Sequence, residues 1–145
     1  MHSSEMTRTH RISLIIGLLP LGAFGHSYGP APKLTGAPGE DVQLCTSCHA
    51  GNALNSGAGR VQVVLAGAAT YVPGVKQRVV VQVTDAVQRR WGFEASVRLN
   101  SDLTKQAGEL TPVDNLTQVI CDDNAPRPCS SGPTYVTHTW GDPLY

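Results

Sequence analysis

Apolar and polar positions alternate with a period of two over most of the chain beyond residue 60. In RVQVVLA, Val61, Val63 and Leu65 point one way while Gln62 and Val64 point the other. In KQRVVVQVTD (76–85), Val79, Val81 and Val83 share one face. WGFEASVRL (91–99) alternates again, which predicts Trp91, Phe93, Ala95, Val97 and Leu99 inward and Glu94, Ser96 and Arg98 outward. This is the pattern of half-buried strands. Weaker segments of the same kind are GELTPV (108–113), LTQVI (116–120) and TYVTHTW (134–140). Between them stand turn signals such as Tyr71-Val72-Pro73-Gly74, with Pro then Gly at the centre. Short strands separated by Gly, Pro and Asn predict an all-β fold, an antiparallel sandwich or barrel.

The first 59 residues follow another rule. Arg8 and Arg11 precede ISLIIGLLPLGAFG (12–25). A basic start, a short apolar run and small residues form the layout of a secretory signal peptide over 1–25. Ala23 and Gly25 stand at −3 and −1 if cleavage falls before His26. The run is too short to span a bilayer, which takes about 20 apolar residues. Residues 26–59 form a Gly/Pro-rich arm, with at most a helical turn or two near its cysteines. Residues 60–145 form the β domain. The expected location is outside the cytoplasm of a bacterium: periplasmic, secreted or on the cell surface.

Composition narrows the function. Charged residues make up 15% of the 145, aromatics 6%, and the formal net charge is zero. The chain has no Lys/Arg run longer than Arg89-Arg90. No nucleic-acid partner is therefore expected.

The chemistry lies in the arm. Cys45-Thr46-Ser47-Cys48-His49 is Cys-x-x-Cys-His, the attachment signature of c-type haem. Two intervening residues let the backbone coil so that both thiols meet one porphyrin edge. The following His49 is then placed to give an axial imidazole to the iron. One covalent haem c is the expected cofactor. Other readings stand beside it. A zinc site would have to recruit the distant Cys121, Cys129 or His138. A thioredoxin-like dithiol belongs at a strand–helix junction of a βαβ fold, for which these turn-rich neighbours are a poor match. A Cys45–Cys48 disulfide would close a very tight loop.

The sixth iron ligand is constrained by counting. Both methionines, Met1 and Met6, lie in the leader, so the mature sequence offers no thioether. The imidazoles left are His26 and His138. His138 is the candidate sixth ligand; an open or water-filled position is the alternative. Cys121 and Cys129 flank DDNAPRP and read as a disulfide staple in an exported chain. Its expected stabilisation is roughly 2–3 kcal/mol. No catalytic Ser-His-Asp set, phosphate loop or paired carboxylates stand in a recognisable context. A haem enzyme or gas sensor would need an open distal side served by Arg60, Arg89 or Arg90, which no spacing demands.

Several segments together resemble a known family. They are GAPGE (36–40), CTSCHAGNALNSGAG (45–59), RWGFEASV (90–97), AGELTP (107–112) and YVTHT (135–139). From about Thr35 onward the chain resembles the bacterial exported choice-of-anchor V domain, itself similar to the reelin N-terminal (reeler) domain. The resemblance implies a secreted or surface immunoglobulin-like β-sandwich with a haem-type motif on its N-terminal arm; whether the domain is one piece of a larger surface protein is left open by the sequence. It assigns attachment to Cys45 and Cys48 and proximal ligation to His49. His138 matches a Thr-His pair that reeler-like domains carry without any haem motif. The family's closing strands would follow Trp140, where this sequence has only GDPLY, so it reads as a truncated copy. Two functions follow: an exported monohaem electron-transfer domain, with a redox partner, or a non-catalytic surface binding or adhesion module whose cysteine pair is a metal or disulfide staple.

Overall fold

The computed structural model describes residues 28–40, 44–67, 70–125 and 127–140. The expected leader, His26 and residues 141–145 lie outside the described residues. The fold is all-β. Among the described residues one short 3-10 turn, Cys45–Ser47, precedes seven strands: β1 (Arg60–Ala66), β2 (Arg78–Thr84), β3 (Glu94–Ala95), β4 (Arg98–Leu99), β5 (Asp102–Gln106), β6 (Thr117–Cys121) and β7 (Thr134–His138). They form three antiparallel sheets: β1–β2, β3–β7–β6 and β4–β5. No helix among the described residues is long and apolar enough to cross a membrane.

The central sheet, β3–β7–β6, holds the core. Val119 and Cys121 on β6 are buried, as are Tyr135 and Thr137 on β7. Register fixes which residues share a face. Thr137 pairs with Glu94 and with Gln118, and Tyr135 pairs with Ile120. Cross-strand partners lie on the same side of a sheet, so Glu94, Tyr135 and Thr137 share one face. His138 and Val136 point to the other, with Val119. Both faces of this small sheet are therefore partly covered. The loop closing β6 toward β7 is stapled by the Cys121–Cys129 disulfide, Cα–Cα 5.3 Å, as the sequence predicts.

The β1–β2 hairpin matches its expected strands but not a buried role. Its register, Val61↔Val83, Val63↔Val81 and Leu65↔Val79, gathers six apolar residues on one face. Val61 and Val63 nevertheless remain 66% and 64% exposed. Alternation reports which residues share a side; another element must cover that side before it becomes a core.

Residues 91–99 depart further from expectation. They form two short strands: β3 pairs with β7, and β4 passes to β5 through an irregular register at Arg98 and Leu99. The alternation survives but the burial differs. Arg98 keeps 7% of its side chain exposed, while Val97 and Leu99 are exposed. Arg98 faces inward because an ion pair, described below, receives it. Residues 108–113 form no strand; the extended segment comes earlier, at β5. Asp102 marks its start, its carboxylate accepting from Thr104 N at 3.1 Å and Thr104 Oγ1 at 2.6 Å.

Candidate functional site

The arm reaches the central sheet before it reaches the cysteines. Gly29 lies so close to β7 that a Cβ there would stand 2.6 Å from Thr137 Oγ1, and its φ of +96° suits glycine. Two residues beyond Pro32, Leu34 N donates to Glu94 Oε2 at 3.0 Å. Lys33 pairs with Asp122 at 3.4 Å. These contacts lay the arm over the face that carries Glu94, Tyr135 and Thr137.

GAPGE then makes a tight turn. Glu40 N donates to Ala37 O at 3.1 Å around Pro38 and Gly39, the latter with φ +86°. Pro followed by a positive-φ glycine is the composition of a type II turn. The turn aims the Glu40 carboxylate inward. Its Oε2 accepts from Thr35 Oγ1 at 2.8 Å and Thr35 N at 3.2 Å. Its Oε1 meets Arg98 Nη2 at 2.5 Å, with the two side chains 2% and 7% exposed. Arg98 also donates to Tyr135 Oη at 3.0 Å and lies over the Tyr135 ring, 5.5 Å from its centroid. Burial alone would raise the Glu40 carboxyl. The hydrogen bonds from Thr35, Arg98 and Tyr135 and the Arg98 charge outweigh it and hold the group below the usual range.

Five residues on stands the cysteine turn. Leu44 anchors it: a Cβ on Gly36 would stand 2.8 Å from Leu44 Cδ2, so the leucine packs on the GAPGE turn. Leu44 O accepts from Ser47 N at 2.8 Å and Ser47 Oγ at 2.7 Å. Cys45 O accepts from Cys48 N at 3.2 Å and His49 N at 2.9 Å. The backbone thus coils once across the motif, as the spacing predicts. Cys45 and Cys48 are free thiols, and both they and His49 are exposed.

His138 is placed elsewhere. It points to the face of β7 opposite the one the arm covers. Its Nδ1 lies 3.2 Å from Phe93 N, which donates to it, and a Cβ on Gly92 would stand 2.8 Å from its Cε1. Among the described residues no three His, Cys, Asp or Glu side chains converge in a way that could hold a metal ion. Cys121 and Cys129, already bonded to one another, offer no thiolates to a zinc site.

Glu40, Arg98 and Tyr135 are the site residues that period and motif do not reveal. A partner 58 residues away leaves no mark in a single sequence. The Pro-Gly turn before Glu40 was the available signal that this carboxylate is aimed.

No family model matches the chain, and no curated protein or solved structure matches it either.

Proposed function

We propose that this chain is an exported monohaem c-type cytochrome-like domain, binding haem and transferring electrons outside the cytoplasm on an immunoglobulin-like, reeler-type scaffold of the choice-of-anchor V kind. One observation carries the reading: two free, exposed thiols and an exposed imidazole lie on a single coil of backbone at Cys45, Cys48 and His49. The donor set fits the group. Cys45 and Cys48 would each add S–H across a porphyrin vinyl group, and His49 would supply the axial nitrogen. Haem so bound supplies a one-electron ferric/ferrous couple. The remainder of the work belongs to the chain. Leu44 and the GAPGE turn seat the motif, and the Glu40–Arg98–Tyr135 clasp ties that turn to the sheet. His138, engaged with Phe93 on the opposite face, is not needed by this reading.

Expression with a cytochrome c maturation system tests the proposal. A red protein with haem surviving a denaturing gel and a sharp Soret band is expected. Cys45→Ala is expected to retain one thioether at most, and His49→Ala to shift or broaden the spectrum. A colourless product with two titratable thiols at Cys45 and Cys48 refutes it. The exposed valine face of β1–β2 favours a second reading, a surface binding or adhesion module; that reading takes over if the protein stays colourless.

A further inference from the structure

The arm meets the sheet through a second carboxylate whose setting differs from that of Glu40. Glu94 sits on β3, opposite Thr137 of β7. One oxygen, Oε2, accepts the Leu34 amide at 3.0 Å. The other, Oε1, is buried with no hydrogen-bond partner. A buried carboxylate oxygen without a donor is costly while ionised and much less so when the group is neutral.

The charges around it do not remedy this. On the arm, Glu40 adds a like charge, and the Lys33 ammonium is drawn to Asp122, 3.4 Å away. On β4, Arg98 is committed to Glu40. On β7, Tyr135 Oη is bonded to Arg98, and His138 points to the other face. Backbone amides of Leu34 and Lys33 act on Glu94 in the opposite sense. Burial is the largest influence and, with the Glu40 charge, pushes the carboxyl up to about 7.

We propose that Glu94 is a proton-operated latch for the arm: neutral, it holds the segment around Leu34 against β3 and β7; ionised, it lets that segment go. The inference needs no haem. It assigns to the arm two attachments of opposite pH sense. The Glu40–Arg98 clasp is strongest with its carboxylate ionised, whereas docking of the arm over Glu94 is favoured when its carboxyl is protonated, because burial penalises the charged form by more than the Leu34 and Lys33 amides favour it. Both hold near pH 6. Toward pH 8.5 the hold at Glu94 weakens while the clasp and the Lys33–Asp122 pair persist, and the backbone around Leu34 loosens.

Amide hydrogen exchange on the haem-free chain tests it, with rates divided by the intrinsic rates at each pH. A folded-state pKa of about 7 against an ordinary value of 4.5 predicts that protection of the Leu34 and Thr35 amides falls about tenfold from pH 6 to pH 8.5. Glu94→Gln keeps a carbonyl oxygen for Leu34 N–H and cannot ionise, so its protection should stay flat over that range. Equal pH dependence in both proteins, or none in wild type, overturns the proposal. Should Glu94→Gln fail to fold, NMR titration of the wild-type Glu94 carboxyl decides: a midpoint near 7 tracked by the Leu34 amide supports the latch, and one below 5.5 overturns it. Since these readouts use the haem-free chain, a colourless result in the maturation test leaves them unaffected.

Discussion

Removing the Arg98 guanidinium is the sharpest test of how the arm is held. Arg98→Met keeps much of the side-chain volume while deleting the charge. It would leave the Glu40 carboxylate, 2% exposed, with the Thr35 and Tyr135 donors but no counter-ion, and would leave Tyr135 Oη without its 3.0 Å donor. Breaking a buried pair from one side costs about 3–5 kcal/mol, because the remaining charge stays desolvated. A domain of this size has roughly 5–15 kcal/mol of stability in total, so the loss would be plain in a urea unfolding curve at pH 7. The pH dependence identifies the cause. In wild type the Glu40 pKa is held down, so its stabilisation is present above the ordinary carboxyl pKa and is lost as pH falls through the folded value. In Arg98→Met the carboxyl is instead pushed up by burial and escapes its penalty by protonation. The stability gap between the two proteins should therefore narrow below about pH 5. Glu40→Gln combined with Arg98→Met should recover part of the loss, giving a coupling energy of about 1–3 kcal/mol in the double-mutant cycle. A gap under about 1 kcal/mol at pH 7, or one that does not change with pH, would refute the reasoning.

Other substitutions probe the remaining contacts. Cys129→Ser opens the disulfide loop, sequence separation 8, and should cost about 2–3 kcal/mol on the loop-entropy account; a reductant should lower the unfolding free energy of wild type by a similar amount and leave the variant unmoved. Gly92→Ala places a methyl 2.8 Å from His138 Cε1, so a loss of about 1–3 kcal/mol is expected with a displaced His138 ring resonance in NMR; an unchanged spectrum and stability would show that the ring gives way freely. Val63→Thr, on the exposed hairpin face, should change unfolding free energy by no more than about 0.5 kcal/mol. A loss of 1.5 kcal/mol or more, on the order of a buried-valine deletion, would mean that this face is covered in solution.

The period-two alternation was enough to place β1, β2, β6 and β7 and to establish the all-β class, because strand pairing and side-chain alternation are local consequences of the sequence. It was not enough for residues 91–99. They split between two sheets, and the residues that meet the arm are polar, Glu94 and Arg98. An apolar side chain is not always the inward one where a buried carboxylate and guanidinium find each other, as Glu40 and Arg98 do. β5 was missed for a related reason: DLTKQ carries little apolar signal, and its pairing with β4 exists because the chain turns back at Asn100 and Ser101.

The sequence by itself determined the local chemistry: the coil of Cys45 to His49, the Pro-Gly turn that aims Glu40, and the short loop that brings Cys121 to Cys129. Each is set by residues within about ten positions of one another, where the covalent chain keeps the partners close. The tertiary structure alone decided that Glu40 meets Arg98 across 58 residues, that Leu34 meets Glu94 across 60, and that His138 turns away from the arm. Those contacts depend on which face of β7 the arm covers, and Thr137 and His138, neighbours in the chain, lie on opposite faces of it.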